Sequence, residues 1–203
     1  MLFKMILTDP SQADKKIKSK ILNSVSKIIS SKQYILGKSV KLFENEFSKF
    51  CGSKYAVGVN SGTDALILSL LSINIKYGDE VIIPSHSASG TATAVVTVGA
   101  KPIFVDIDPD TFLIDINDLE KKITKKTKVI IPVHLYGQSC SIKKILRIAN
   151  KNKIKVIEDC AQAHGTKFKD IHVGNFGVAC CFSFYPTKNL EQLVMGGVCH
   201  NKQ

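Results

Sequence analysis

Tryptophan is absent from the 203 residues, arginine occurs once, at Arg147, and proline six times. Long apolar runs are missing as well. Stretches such as 129–133 are strand-sized, so the chain offers no transmembrane helix. Residues 1–7 are apolar around Lys4, too short for the core of a signal peptide, and no small-residue cleavage site follows. A cytoplasmic location is expected, with no membrane partner. Thirteen glycines and six prolines are too few for a collagen-like or linker-dominated chain. Among the six cysteines (Cys51, Cys140, Cys160, Cys180, Cys181 and Cys199) there is no C-x-x-C pair. The neighbours Cys160/His164 and Cys199/His200 lack the further ligands of a zinc site, so no metal is expected and the thiols read as small buried apolar groups.

What is present is ordinary for a globular chain, with 44% apolar and 22% charged residues. The length suits one domain. The formal net charge is +11, but 27 of the 28 basic residues are lysines spread through every segment. Nucleic-acid readers lean on arginine and gather basic residues on one face, often between aromatics. Neither pattern is here, and no nucleic-acid partner is expected. The lysines read as a solvated surface, with attraction of an anionic ligand such as a nucleotide diphosphate as the functional alternative.

Apolar residues recur at helical spacing at Ile17, Ile21, Val25 and Ile28, then at Val40, Phe43, Phe47 and Phe50. Residues 1–50 are therefore expected to form an N-terminal helical segment, with 51–203 as the large domain, incomplete at its C-terminus. From Tyr55 onward short apolar runs alternate with amphipathic ones. Strands are predicted at 55–59, 81–83, 103–105, 129–133, 155–157 and 178–182, and helices near 63–73, 88–98, 116–123 and 141–152. Such alternation implies an α/β fold with a mostly parallel central sheet flanked by helices. Ligands in these sheets bind beyond the carboxyl ends of the strands.

Three loops at such ends carry chemistry. Asn60-Ser61-Gly62-Thr63-Asp64 follows a strand and opens a helix, a seat for phosphate or an ordinary N-cap. It lacks the G-x-G-x-x-G and G-x-x-x-x-G-K patterns, which weakens dinucleotide and ATP readings. In the second loop a strand ends in Glu158-Asp159. Alternation sends the two carboxylates to opposite faces, so one can enter a site and hold a metal, a ribose or a protonated ring nitrogen. The third, Ser183-Phe184-Tyr185-Pro186-Thr187-Lys188, ends on a lysine in apolar company. Desolvation there would lower its pKa and suit it to Schiff-base chemistry.

Together with Gly78-Asp79-Glu80-Val81-Ile82-Ile83-Pro84-Ser85-His86, Phe104-Val105-Asp106-Ile107-Asp108-Pro109 and Ile131-Pro132-Val133-His134-Leu135-Tyr136-Gly137-Gln138, these loops resemble the DegT/DnrJ/EryC1/StrS family of pyridoxal-phosphate-dependent sugar aminotransferases. The resemblance runs from roughly residue 34 to residue 197 and keeps the family order. It implies the large domain of a fold-type-I transferase, binding pyridoxal 5'-phosphate within residues 51–203. It also implies a homodimer that moves an amino group, from glutamate, to a keto-sugar nucleotide in polysaccharide or cell-surface sugar biosynthesis. By the same resemblance, Lys188 is the catalytic lysine that bonds to the cofactor and shuttles the proton. Asp159 pairs with the ring nitrogen and Gln162 lies beside the phenolic oxygen. Gly62, Thr63 and Asp64 with Ser183 seat the phosphate.

Three departures follow. Ala88 stands where many members stack an aromatic on the ring, leaving His86 as the nearby candidate. Glu191-Gln192-Leu193-Val194-Met195 replaces a glycine-rich turn before Gly196-Gly197. The sequence also stops at Gln203, before the rest of the large domain and a C-terminal small domain. A catalytically inactive remnant is therefore the alternative function, and marginal stability is expected of the isolated chain.

Overall fold

A computed structural model describes residues 15–188 and 196–200. Two helices, α1 (Lys15–Ser31) and α2 (Lys38–Cys51), precede β1 (Tyr55–Val59) and α3 (Gly62–Ser72). There follow β2 (Glu80–Pro84), α4 (Ser89–Thr97), β3 (Lys101–Val105), α5 (Ile116–Lys122), β4 (Thr127–Ile130) and α6 (Ile142–Lys151). The chain ends in β5 (Lys155–Asp159), a two-residue hairpin β6 (Lys167–Phe168) and β7 (Ile171–His172), then β8 (Ala179–Ser183) and β9 (Gly196–His200). Seven strands form one sheet in the order β1-β9-β8-β5-β4-β2-β3. The β2–β3, β2–β4, β4–β5 and β5–β8 pairs are parallel, and β9 runs antiparallel to both β1 and β8. The α/β class and the mostly parallel sheet are as the sequence pattern predicts.

Strand alternation divides the core. Val81, Ile83, Val129, Ile131, Ile157 and Cys181 face α3 and α4, meeting Ala65, Leu66, Leu70, Ala94 and Val95. Ile82, Val105, Ile130 and Val156 face the other way, onto Leu119 of α5 and Ile142, Ile145 and Ile148 of α6. Near β8 that second face is closed by α2, whose Phe47 packs edge-on against Phe182 and Phe184. The domain boundary drawn after residue 50 falls at the last residue of α2.

Five of the cysteines, Cys51, Cys140, Cys160, Cys180 and Cys181, are buried, as their surroundings predict. Burial pushes the Cys140 thiol up to about 12, which keeps it protonated at neutral pH. The strand expected over 129–133 is shorter and begins earlier, because Pro132 lacks the N–H to continue the ladder and the chain turns at Leu135–Gly137. The reading of 191–195, and that of residues 1–7, lie outside the described residues. No described helix is long and apolar enough to cross a membrane.

Candidate active site

The pairing of β5 with β8 sets Glu158 beside Cys180 and Asp159 beside Cys181, so the two carboxylates take opposite faces of the sheet. Asp159 lies on the α3/α4 face and is buried. Its Oδ1 accepts the Ala161 N–H at 3.1 Å, and its Oδ2 accepts the Thr91 hydroxyl of α4 at 3.0 Å. Burial pushes its carboxyl above the ordinary carboxylate value, with these two hydrogen bonds opposing the rise.

Glu158 does something else entirely. Its Oε1 accepts the N–H groups of Phe176 and Gly177 at 2.8 and 2.7 Å. Its Oε2 accepts the Gly174 N–H at 2.9 Å and the His134 Nε2 proton at 3.0 Å. The Cys140 N–H points at His134 Nδ1, 3.0 Å away, which makes that nitrogen an acceptor and places the ring proton on Nε2. Burial raises the Glu158 carboxyl, but hydrogen bonds from His134, Gly174 and Gly177 outweigh it and hold the group below its ordinary value. His134, Glu158 and Cys160 are close enough for a metal-ligand triplet. The hydrogen bonds already made by the first two leave their donor atoms committed to the fold.

At the start of α3, Ser61 Oγ accepts the Asp64 N–H at 3.0 Å and donates to Asp64 Oδ2 at 2.9 Å, a reciprocal cap. The Ser61 carbonyl takes the Ala65 N–H. Among the described residues the amides of Gly62 and Thr63 have no acceptor, as the first groups of a helix should not. Two close approaches frame them. A Cβ on Gly62 would sit 2.9 Å from Ser183 Cβ, and one on Gly90 would sit 2.6 Å from Thr63 Oγ1. Glycine is what lets α3 meet the end of β8 and the first turn of α4 this closely.

A cavity of about 420 Å³ opens between these elements. Gly62, Thr63, Thr91, Asp159, Ser183 and Lys188 are on its wall. Lys188 ends a turn closed by its own N–H on the Tyr185 carbonyl at 2.8 Å. It is half-buried beside an exposed Tyr185. The desolvated surroundings expected of Lys188 are thus only partial, because the chain has already left the sheet after Ser183 and runs along the cavity rim.

Three of the sequence-derived candidates are not on that wall. The Asp64 carboxylate is held in the α3 cap, also receiving Asn60 Nδ2 at 3.1 Å. His86 turns its Nε2 to the Tyr136 hydroxyl at 3.0 Å and sits near the Phe112 ring; Ala88 occupies the wall instead. Gln162 uses its Oε1 to accept the Tyr136 N–H at 3.0 Å, which leaves its amide N–H groups to donate elsewhere. Tyr136 can present that N–H because it adopts a left-handed conformation, φ 56°. Sequence reasoning passed over Thr91, Ser87 and Gly90. The i, i+4 hydroxyl pair Ser87/Thr91 was the signal available, but α4 also carries Ser89, Thr93 and Thr97, so it does not stand out.

The donor set fits one kind of group well. Helix-terminal amides and two hydroxyls suit a phosphate, a buried carboxylate suits a cationic ring nitrogen, and an amine at the rim suits an aldehyde carbon. The volume lies in the range of small cofactor sites, roughly 300–1,000 Å³.

The sequence profile of the DegT/DnrJ/EryC1/StrS aminotransferase family matches residues 15–202. A dTDP-3-amino-3,6-dideoxy-alpha-D-galactopyranose transaminase of Aneurinibacillus thermoaerophilus is 45% identical over 189 residues, covering 93% of this chain and 52% of the relative. A UDP-N-acetyl-3-dehydro-alpha-D-glucosamine 3-aminotransferase of Acidithiobacillus ferrooxidans is 43% identical over 182 residues, 90% of this chain and 49% of the relative. The crystal structure of NtdA from Bacillus subtilis with bound cofactor PMP superposes with a TM-score of 0.94 at 34% identity, covering all of this chain (100%) and 46% of that one. The chain spans about half the length of the curated relatives it matches.

Proposed function

Since this chain belongs to the DegT/DnrJ/EryC1/StrS aminotransferase family, we propose that it holds pyridoxal 5'-phosphate and moves an amino group from glutamate to a keto-sugar nucleotide. The observation that carries this reading is the meeting of Asp159, Lys188 and the α3 N-terminus on one cavity wall. When bound, the cofactor supplies a protonated ring able to take up the electrons of a Cα–H bond.

Each residue then has a task. The Gly62 and Thr63 amides, the Thr63 hydroxyl and the Ser183 hydroxyl hold the phosphate, and Asp64 serves by fixing the cap that aims them. The Asp159 carboxylate faces the ring nitrogen and keeps a proton there. Gln162, its oxygen committed to Tyr136, donates an amide N–H toward the phenolic oxygen. The Lys188 amine would hold the cofactor at its aldehyde carbon and, as a free amine, would serve as base and acid for the migrating proton. His86 is bonded to Tyr136 and is not on the cavity wall, where Ala88 would offer a bound ring no aromatic partner.

A nucleotide sugar is the substrate the relatives' names favour. Arg147 agrees with it. Enzymes for dicarboxylate substrates grip both carboxylates with guanidinium groups, and Arg147 is exposed on α6, across the sheet from the cavity. We assign the reaction to the cytoplasm, to a homodimer, and to the making of aminated sugars for cell-surface polysaccharides.

Two measurements check the reading. Borohydride reduction of the chain with added cofactor, followed by peptide mapping, should place the pyridoxyl mass on Lys188; a label on another lysine would refute the assignment. Ala88→Phe should tighten cofactor binding roughly two- to tenfold by giving the ring a stacking partner. A weaker-binding Ala88→Phe in an absorbance titration would show that the ring does not lie against that wall.

A further inference from the structure

Thr91 stands out among the wall residues because its hydroxyl is used in an unusual way. A buried helical threonine normally returns its hydroxyl to a carbonyl one turn back. Here the group instead reaches across to Asp159 Oδ2 at 3.0 Å and meets Ser87 Oγ at 2.8 Å. An ionised carboxylate only accepts, so Thr91 gives its proton to Asp159 and Ser87 must give its own to Thr91. The result is a directed chain, Ser87 to Thr91 to Asp159, ending on the one carboxylate among the described residues that lines the cavity. Among the described residues the other hydrogen bond to the Asp159 carboxylate, from the Ala161 N–H to Oδ1, comes from its own loop.

We propose that Thr91 is a positioning residue for the cofactor's ring nitrogen, acting through Asp159: its hydroxyl fixes the carboxylate's rotamer and holds it in the ionised form. The inference rests on the reading that Asp159 serves that nitrogen. Without the hydroxyl, a buried carboxylate with one backbone donor retains a proton, and the shared proton then sits on oxygen instead of on the ring. Among the described residues the titratable groups around Asp159 are Lys188, on the turn after β8, His134, on the segment after β4, the Cys181 thiol beside it on β8, and Tyr185 on the same cavity wall. Lys188 favours the ionised carboxylate, as would His134 in its protonated form. Glu158 lies on the opposite face and is bonded to His134.

The test separates the hydroxyl from the shape of the side chain. In the cofactor-free chain carrying 13C-labelled aspartate, with Asp159→Asn as the assignment control, the Asp159 titration midpoint should rise by about one unit or more in Thr91→Val. Thr91→Ser, which keeps the hydroxyl, should stay close to wild type, and Ser87→Ala should give a smaller rise. With 15N-labelled pyridoxal phosphate bound, the ring nitrogen should read as protonated in wild type and Thr91→Ser and as losing its proton in Thr91→Val. An unchanged Asp159 midpoint in Thr91→Val would overturn the proposal. So would a Thr91→Ser variant that shifts as far as Thr91→Val. Failure of wild type to take up the cofactor at Lys188 is a different result. It would refute the functional reading, while the titration of the cofactor-free chain still decides whether Thr91 controls Asp159.

Discussion

Glu158→Ala should cost about 3–5 kcal/mol of folding stability, the usual effect of deleting one partner from a buried charged network. Four donors lose their acceptor at once: the N–H groups of Gly174, Phe176 and Gly177, and His134 Nε2. A domain's whole stability is about 5–15 kcal/mol, so the variant should show a sharply lower denaturation midpoint and weakened near-UV signals. A midpoint equal to wild type would mean that the 174–177 loop is held by something other than this carboxylate. The effect also has a pH signature. Glu158 is depressed below its ordinary value of 4.5 in the fold. Its contribution is therefore complete above that value and is lost as pH falls through the lower native one. Glu158→Gln should accordingly be less stable than wild type at neutral pH but flatter through the acid range, and acid titrations of the two would show the curves converging.

Lys188→Ala should abolish the covalent link to the cofactor and lower amino transfer by at least about 10²–10⁴-fold, the range for removing a positioned proton-transfer group. The fold should hardly notice. Lys188 is half-buried on a rim turn and fills no space in the apolar core, and replacements of that kind stay within about 0.5 kcal/mol. Lys188→Arg is the sharper control, since it retains charge and length but not a nucleophilic amine. Either variant retaining the visible band of a lysine-bound cofactor would move the catalytic role to another residue.

The two carboxylates show how far a sequence can be read. Alternation along a strand predicts that Glu158 and Asp159 part company at the sheet, and the structure bears this out. Which of them enters the cavity depends on the helices packed on each face, and periodicity within one strand contains no information about that. Family resemblance assigned the cavity side to Asp159; the bare pattern left it open. The same limit hid Thr91, whose partner is far away in sequence and whose segment looks like any small-residue helix. His86 marks the opposite case. It was proposed for its aromaticity and nearness to Ala88, but the loop after β2 turns it toward Tyr136. The strands and helices themselves were legible because parallel α/β units alternate apolar runs of two distinct lengths. The β6–β7 hairpin was not, since two-residue strands carry no period at all.

The position of β9 bears on the order in which the molecule can assemble. Among the described residues strand β1 pairs with β9 alone, and β9 follows every other described strand in the chain. Strands β2, β3, β4 and β5 are linked by short crossovers and can pair as they are synthesised, whereas β1 must wait through about 140 residues for its hydrogen-bonding neighbour. Once made, β8 also presents an unpaired edge until β9 fills that side. The strand that leads into α3 is therefore hydrogen-bonded into the sheet only once β9 has been made, although α3 itself can already pack on β8. A nascent chain that has not yet reached residue 196 would have its parallel strands paired and β1 still without its neighbour.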